Sequence, residues 1–441
     1  MSRITFIENR GKTVFWAAVA KQLAAAGHVV SWIVQNKAYR PHVKGQKIIV
    51  LPVPAARDLQ DIGIPDAVST DRGRTYFGSG HLHYAHYQRH IASALETLKP
   101  DVVIGEPTLF HELLAIAACQ TAGIPYLHPT MNRYPAQQFS ILDADTQVPA
   151  VRSGDIWDAS AIDALAQAVC SDAIQPSYMK IPKRRALWAR RGRLIAGQMR
   201  TIAGRLAGEQ YNTPSVLRKL QLQRSLKANL MQWDALAHGP APNGPVILYP
   251  LQMQPEANID VWGRPYSDQI AVIKALAAAL PANGQVAVKA NPKSKYEVSD
   301  ALMSLARQDP RVVLLPQAWT MAQAKDASTG TVTISGTVGY EAIFGRNRCL
   351  SLRHPVIDTH FADFAAQTPA QAVALLLSDP DIGRGNMGLT KAFLRILVAD
   401  SFAGVISEPT YDPDCVSLEN ITQVTKAITQ AVAAVTQRTP S

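Results

Sequence analysis

The fold is decided by the stretch Val246-Ile247-Leu248-Tyr249-Pro250-Leu251-Gln252-Met253-Gln254-Pro255-Glu256. Its apolar start predicts a buried strand, and a helical pattern follows from about Tyr266. The polar side chains therefore collect where a strand ends, which is the place where open α/β sheets bind ligands. A plain strand-to-helix turn with Glu256 on the surface is the alternative interpretation of this segment alone.

The same alternation of strand and helix extends in both directions from this stretch. Residues 4–127 alternate apolar runs with helical patterns, and residues 246–352 do so again after the Pro/Gly-rich segment 240–245. We therefore predict an α/β protein of GT-B-like architecture, with two Rossmann-like domains and an interdomain cleft. This architecture serves transferases, epimerases and binding proteins alike, so it does not by itself define a function.

Composition excludes several classes of protein. A chain of 441 residues is too long for one ordinary core, and 47% apolar with 18% charged residues is typical of globular proteins. No apolar run reaches the ~18 residues of a membrane span, and the N-terminus becomes charged too early for a signal peptide. The four cysteines are far apart and fit neither a metal site nor a disulfide framework, so we expect a reduced, cytoplasmic protein.

Positive charge is concentrated in one segment. The net charge is +10, but residues 180–227 contain 13 lysines and arginines against one acidic residue, Glu209. Apolar residues recur there at helical spacing, which is typical of a helix that binds an anionic membrane surface. Packing on the N-terminal domain and contact with a polyanionic acceptor are the other interpretations. Nucleic acid is not expected, because no nucleic-acid-binding motif accompanies the charge.

Two further motifs also follow predicted strands. Lys289 and Asn291 lie at the tip of the strand before Pro292, where a lysine can meet a phosphate as a point charge. Ser335-Gly336-Thr337-Val338-Gly339-Tyr340-Glu341 follows another strand and opens a helix, and its small residues allow close approach of an anion. A solvent-facing strand end and a helix-start carboxylate at Glu341 are the respective structural alternatives.

Together the three motifs resemble the capsule polysaccharide biosynthesis proteins, which include the β-Kdo transferases (Kdo is 3-deoxy-D-manno-octulosonic acid). The resemblance covers residues 245–360, and its motif residues are Pro250-Leu251-Gln252, Gln254-Pro255-Glu256-Ala257, Lys289-x-x-Pro292 and Gly336-Thr337-x-Gly339-x-Glu341-Ala342. It implies a GT-B glycosyltransferase that uses a CMP-activated acidic sugar and a glycan or glycolipid acceptor. In GT-B proteins the last helix commonly crosses back to the first domain, so we expect the same of the last helix here.

The resemblance implies roles for individual residues. Glu256 falls on the position of the catalytic carboxylate, often Asp, which in retaining members attacks the anomeric carbon. Asn291 replaces the histidine of the usual Lys-x-His-Pro motif, and an asparagine donates a hydrogen bond but carries no proton. The residues implied or predicted to hold the donor and its nucleotide are Gln252, Gln254, Lys289, Asn291, Ser335, Gly336, Thr337 and Glu341. A CMP-sugar requires positive charge and donors but no obligatory metal, and we predict neither a metal site nor a cofactor.

The N-terminal domain is expected to bind the acceptor through its own strand ends. Glu106 and His128 are the candidates for a base, and Glu8, Arg10 and Arg133 are candidate acceptor contacts. For Glu106 and His128 a structural role is the alternative interpretation. A histidine group at residues 81–90 has helical spacing but no acidic or Cys partner, which favours a solvated or acceptor-facing helix over a metal site.

These observations lead to one main hypothesis with defined rivals. We predict domains at 1–238, including the basic segment 180–227, and at 239–380, followed by a helical segment at 381–441. The expected activity is transfer of Kdo or a related acidic sugar in surface polysaccharide synthesis, by a cytoplasmic enzyme in peripheral contact with the membrane. A UDP-sugar transferase or epimerase and a non-catalytic polysaccharide assembly protein remain the alternatives.

Overall fold

The computed structural model describes residues 1–174, 184–241 and 243–438. Its strands are β1 (Arg3–Ile7), β2 (Val29–Val34), β3 (Lys47–Val50), β4 (Val102–Ile104), β5 (Tyr126–Met131), β6 (Gln138–Asp143), β7 (Pro149–Val151), β8 (Val246–Pro250), β9 (Gln285–Lys289), β10 (Val312–Leu314), β11 (Gly330–Thr333), β12 (Cys349–Ser351) and β13 (Phe402–Ala403). Its helices are α1 (Thr13–Ala25), α2 (Tyr84–Leu98), α3 (Phe110–Ala122), α4 (Ala159–Cys170), α5 (Arg184–Leu206), α6 (Val216–Leu236), α7 (Gln269–Ala279), α8 (Asp300–Gln308), α9 (Met321–Asp326), α10 (Thr337–Ile343), α11 (Pro355–His360), α12 (Pro369–Ser378), α13 (Met387–Ala399) and α14 (Leu418–Arg438).

Local sequence signals explain where several of these elements begin and end. Helix α3 ends at Gly123, whose φ of 66° is a left-handed conformation that glycine adopts without a steric penalty. Helix α7 begins after Asp268, whose carboxylate accepts hydrogen bonds from the backbone N–H groups of Ile270 and Ala271, at 3.0 Å each. The chain therefore sets the ends of these helices with residues that are visible in the sequence.

The chain divides into two compact units. The first comprises the described residues within Met1–Asp158, Gln175–Ser215 and Leu394–Ser441, and the second comprises Ala159–Ile174 and the described residues of Val216–Phe393. Each unit has its own parallel sheet, so the α/β class and the two Rossmann-like units are confirmed. The interdomain cleft stays a prediction.

The first unit is built on a sheet in the order β3-β2-β1-β4-β5, with all five strands parallel. Antiparallel strands β6 and β13 extend the β5 edge, and β7 pairs with β6. The strand order reverses between β1 and β4, which is the topological switch point of such a sheet. One face of the sheet is covered by α1 and α14, whose buried side chains include Phe15, Trp16, Val424 and Ile428.

The second unit has a five-stranded parallel sheet in the order β10-β9-β8-β11-β12. Its switch point lies between β8 and β11, where Ile247 and Leu248 pair with Gly330 and Thr331. The larger core of this unit packs α7, α8 and α12 against the sheet and includes Ile273, Leu302 and Val373. Both strands at the switch point end in motifs predicted from the sequence to bind ligand.

Two helices of the predicted first domain, α4 and α6, belong instead to the second unit. Helix α6 belongs to the second unit, because Trp233 is fully buried in its core and donates its indole N–H to the Leu315 carbonyl at 2.8 Å. Helix α14 belongs to the first unit, because its apolar face completes the core there. Within the basic segment 180–227, Lys180 to Lys183 and the side chains of residues 184–190, 193 and 194 lie outside the described residues.

No helix formed by the described part of the chain is long and apolar enough to cross a membrane.

Candidate active site

Gln252 links the two strand ends at the switch point of the second unit. Its side-chain Oε1 accepts a hydrogen bond from the Ser335 backbone N–H at 3.3 Å, and its Nε2 donates to Ser335 Oγ at 3.4 Å. Ser335 is fully buried, and its hydroxyl donates to the Asn258 carbonyl at 2.5 Å. The motif after β8 and the motif after β11, predicted separately from the sequence, are therefore in direct contact.

Gly336 leaves a small space beside this link. A Cβ at this position would lie 2.6 Å from Thr333 Oγ1 and 3.4 Å from Gln252 Nε2, so only glycine fits without a shift of its neighbours. The Thr333 hydroxyl is fully buried and has no hydrogen-bond partner among the described residues. Thr337, the next residue, is half-buried and begins α10.

The loop after β8 is held by polar side chains of its own unit. Gln254 is buried, its Nε2 donates to Asp260 Oδ1 at 2.8 Å, and its backbone N–H donates to Glu297 Oε2 at 3.0 Å. Gln269 donates to the Gln252 carbonyl at 2.7 Å and to Gln254 Oε1 at 3.0 Å. Gln254 therefore shapes the loop, and its predicted contact with the donor stays a prediction.

Glu256 is half-buried at the end of this loop. Its backbone N–H donates to Asp260 Oδ2 at 2.9 Å, and its Oε1 accepts from Asn258 Nδ2 at 2.9 Å. Within the described residues no donor contacts its second carboxylate oxygen, Oε2. The backbone of Glu256 is thus fixed while one oxygen is left for another partner.

Lys289 is a buried cation. It is 6% exposed, and its Nζ donates to the carbonyls of Ala290 at 3.5 Å and Gln317 at 3.4 Å. No carboxylate of the described residues forms an ion pair with it. Burial lowers the pKa of the Lys289 ammonium. A buried charge is normally paired, so this ammonium at the carboxyl edge of the sheet is suited to bind an anion.

Two other predicted nucleotide contacts already have partners within the protein. Asn291 closes a turn by accepting a hydrogen bond from the Lys293 backbone N–H at 2.8 Å. Glu341 forms an ion pair with Lys325, with 2.7 Å between Oε2 and Nζ, and both side chains are largely buried. Their roles toward a nucleotide stay predictions, and each would need this internal contact to be shared or broken.

In the first unit, Glu8 is fully buried and organises the switch point between β1 and β4. Its Oε1 accepts from the Arg10 backbone N–H at 2.6 Å, and its Oε2 accepts from the Asn36 backbone N–H at 3.0 Å. Burial raises the pKa of the Glu8 carboxyl, against the lowering effect of these hydrogen bonds. Arg10 has a left-handed backbone with φ of 39°, and its guanidinium donates to the Asn212 carbonyl. Both side chains are therefore used to build the fold at this edge.

Glu106 belongs to a compact polar cluster at the same edge. Lys12 Nζ lies 2.5 Å from Glu106 Oε1, and Asn9 Nδ2 donates to Glu106 Oε2 at 3.4 Å and to Glu112 Oε1 at 2.7 Å. Glu112 is fully buried and also accepts from the backbone N–H groups of Thr108 and Leu109. Burial, and then the nearby Glu106 carboxylate, raise the pKa of Glu112 to about 8. The cluster contains two carboxylates that share the Asn9 amide, and the Lys12 ammonium pairs with Glu106.

The remaining sequence candidates of this unit lie on or after β5. His128 is buried opposite Leu142 of β6, and its pKa is lowered to about 3 by burial and then by Lys12. Its imidazole is therefore neutral at pH 7. Arg133 is half-buried and follows the end of β5. Their roles as base and acceptor contact stay predictions.

The histidine group at the start of α2 makes separate contacts. His81 pairs with Asp61 at 3.0 Å, His86 bonds the Pro52 carbonyl at 2.9 Å, and His83 stacks on Tyr211 with 3.9 Å between ring centroids. His90 lies beside His86. In the described parts of the chain, no group of three or more His, Cys, Asp or Glu side chains is arranged to hold a metal ion.

Several residues that shape the carboxyl edges of the two sheets were not predicted from the sequence. In the second unit these are Gln269, Asp260 and Glu297, and in the first they are Lys12 and Glu112. The helix-capping Asp268 marks the position of Gln269. Leu109, which precedes α3, has no capping side chain that would mark Glu112. Nothing in the sequence showed that either side chain turns back toward the preceding strand end.

The fold and these edges define an α/β protein with two Rossmann-like units. No family model matches the chain, and no curated protein matches it. Solved structures that match it include the UDP-GlcNAc 2-epimerase from Methanocaldococcus jannaschii, at 13% identity and a TM-score of 0.27 over 90% of this chain and 99% of that one. The UDP-N-acetylglucosamine 2-epimerase from Rickettsia bellii matches at 14% identity and 0.30, over 99% and 96%. The calicheamicin glycosyltransferase CalG4 matches at 12% and 0.24, over 98% of both chains. Similarity this low indicates neither activity nor substrate.

Proposed function

We propose that this protein is a glycosyltransferase that takes its sugar from a nucleotide-activated donor bound at the carboxyl edge of the second sheet. The observation that carries the proposal is the buried ammonium of Lys289, which has carbonyl contacts but no carboxylate partner among the described residues. It stands at the edge where parallel sheets bind ligands, beside strand ends cross-linked by Gln252 and Ser335. A phosphate would supply the missing negative charge.

The donor class rests on the resemblance of the three motifs to the β-Kdo transferases. A CMP-activated acidic sugar is therefore the first donor to test. Its single phosphate suits one buried ammonium, that of Lys289. Gln252 and Thr337 are proposed to contact the donor, and Ser335 and Gly336 to form the surface against which it lies.

Glu256 is the proposed catalytic carboxylate. When the bond between the anomeric carbon and the phosphate oxygen breaks, its electron pair leaves with the nucleotide phosphate, whose growing charge the Lys289 ammonium stabilises. The free Oε2 of Glu256 attacks the anomeric carbon and forms a glycosyl ester. The oxygen of an acceptor hydroxyl then attacks the anomeric carbon, and the ester bond to Glu256 breaks. The hydroxyl gives its proton to a base, and Glu256 is again a free carboxylate.

We assign the acceptor to the first unit, with Arg10 and Arg133 at its binding edge and Glu106 as the candidate base. The fully buried Glu8 shapes this edge through its hydrogen bonds to the backbone of Arg10 and Asn36. Glu106 is 9% exposed and forms an ion pair with Lys12, and its carboxylate is the proposed acceptor of the proton. His128 is buried and neutral, so we assign it a supporting position beside this cluster.

The proposal is tested by donor turnover with purified protein. CMP release from CMP-Kdo is measured above the uncatalysed rate, for the wild type and for Glu256→Gln. We expect the substitution to lower the rate at least ~100-fold, a typical loss for a residue acting in the transition state. Glu419→Gln, at an exposed position on α14, is the matched control and keeps wild-type turnover.

Other outcomes of this assay contradict defined parts of the proposal. Release of UDP from UDP-sugars, with no turnover of CMP-Kdo, overturns the donor class and favours a UDP-sugar transferase or epimerase. Turnover of neither donor type overturns the enzymatic proposal and favours a non-catalytic assembly protein.

A further inference from the structure

Helix α5 carries an apolar stripe that faces away from its own unit. Ile195, Met199, Ile202 and Leu206 are 62%, 61%, 50% and 85% exposed. At about 100° per residue these four positions fall within about 60° of one another around the helix axis. Four large apolar side chains on one exposed line are unusual for a helix whose neighbours are all in place.

The opposite side of α5 is the side that packs. Thr201 Oγ1 lies 3.1 Å from Tyr39 Oη, and a Cβ on Gly204 would lie 2.6 Å from Asn36 Nδ2. Arg205 donates to the Thr213 carbonyl at 2.8 Å. These contacts with the first unit fix the orientation of the helix. The apolar stripe is therefore exposed because the opposite side of the helix is packed.

The helix that carries the stripe is basic. Residues 184–206 contain seven arginines and no acidic residue, and Arg191 and Arg200 are exposed. Glu209, which follows the helix, is buried and accepts hydrogen bonds from the backbone N–H groups of Tyr211 and Asn212, so its carboxylate is not part of the exposed surface. A second copy of the same face would be repelled, whereas an anionic surface would be attracted.

We propose that the stripe Ile195, Met199, Ile202 and Leu206 inserts into the surface of a bilayer that contains anionic phospholipids. The apolar side chains would enter the boundary between head groups and acyl chains, and the arginines would contact lipid phosphates. The helix lies in the plane of the surface, since its packed side holds it to the first unit. This surface does not depend on the sugar-transfer proposal.

The test is sedimentation of the full-length protein with vesicles of equal parts phosphatidylglycerol and phosphatidylethanolamine, and with vesicles of phosphatidylcholine alone. We expect binding to the anionic vesicles and at least tenfold weaker binding to the neutral ones, with loss of binding in high salt. Ile202→Asp is expected to weaken binding to the anionic vesicles about tenfold, which corresponds to about 1.4 kcal/mol. Ile156→Asp is the matched control, because Ile156 is 93% exposed in the same unit but outside the stripe.

Three results would overturn the proposal. The first is no binding to either vesicle, and the second is equal weakening by Ile202→Asp and Ile156→Asp. The third is a concentration-dependent dimer that Ile202→Asp dissociates while vesicles have no effect, which would assign the stripe to a second copy of the chain. Both variants are first checked by circular dichroism, and Ile195→Asp gives an independent measurement if Ile202→Asp does not fold.

Discussion

The side-chain amide of Gln252 holds Ser335 by two hydrogen bonds, one to the backbone N–H and one to the hydroxyl. These residues are 83 positions apart in the sequence, yet they join the two strands at which the second sheet reverses its order. The candidate donor edge is therefore stabilised by a hydrogen-bonded link between the segments that follow β8 and β11.

Replacing Gln252 with Ala removes both bonds and leaves the buried Ser335 N–H without its acceptor. We expect the free energy of unfolding to fall by about 1–3 kcal/mol, the usual cost of an unsatisfied buried polar group. Urea unfolding of the two proteins measures the difference. Gln308→Ala, at the exposed end of α8, should change stability by no more than about 0.5 kcal/mol, and an equal loss in the two variants would contradict the role of Gln252.

Gln269 holds the loop after β8 in place by hydrogen bonds. Its amide group makes four hydrogen bonds, with the backbone N–H and carbonyl of Gln252, with Gln254 Oε1 and with the Tyr249 hydroxyl. Gln269→Ala should therefore cost about 2–4 kcal/mol of unfolding free energy. Lys274→Ala, on the exposed side of the same helix, is the comparison. Similar unfolding midpoints for the two variants would show that the loop holds its shape without Gln269.

Gln252 and Gln269 differ in how much of their structural role can be predicted from the sequence. The alternation of strands and helices, the position of Gln252 at a strand end and the small residues around Gly336 follow from local patterns, because periodicity and chain direction place them. The inward turn of Gln269, and the partnership of Glu341 with Lys325, depend on which elements pack together. A single sequence contains no record of such long-range contacts, so it predicts a nucleotide contact for Glu341 but not the ion pair of Glu341 with Lys325.

The ion pair between Lys325 and Glu341 can be measured by a double-mutant cycle. Both side chains are largely buried, so Lys325→Ala and Glu341→Ala should show a coupling energy of about 1 kcal/mol in unfolding experiments. We also expect the two single variants to lower CMP affinity to the same small extent, because the pair acts as a unit. A much larger loss of affinity with Glu341→Ala alone would instead support the ribose contact predicted from the sequence.

Glu112 makes stability depend on pH in a defined direction. Burial and the Glu106 carboxylate raise its pKa to about 8 from an ordinary value of 4.5. Between these pH values the folded state binds more protons than the unfolded state, so this group makes the free energy of unfolding fall as pH rises from about 4.5 to about 8. Glu112→Gln should flatten that fall in urea unfolding between pH 5 and pH 8.

The control for this prediction is Glu96→Gln, at an exposed position on α2, which should leave the pH profile unchanged. The difference in unfolding free energy between wild type and Glu112→Gln is the informative quantity, because other buried acids and histidines are common to both proteins. A difference that is constant from pH 5 to pH 8 would contradict the raised pKa of Glu112.

The most direct test of the central claim is calorimetric titration of CMP, with UDP as the comparison, into wild type, Lys289→Met and Lys293→Met, each with its unfolding free energy measured in parallel. We expect Lys289→Met to abolish CMP binding without loss of stability, because methionine removes a buried charge that has no carboxylate partner among the described residues. Lys293→Met, at an exposed neighbouring position, should bind CMP like the wild type. Unchanged CMP affinity in Lys289→Met, or loss of affinity only in proportion to a loss of stability, would contradict the claim that this lysine is the anion site of a nucleotide-sugar enzyme.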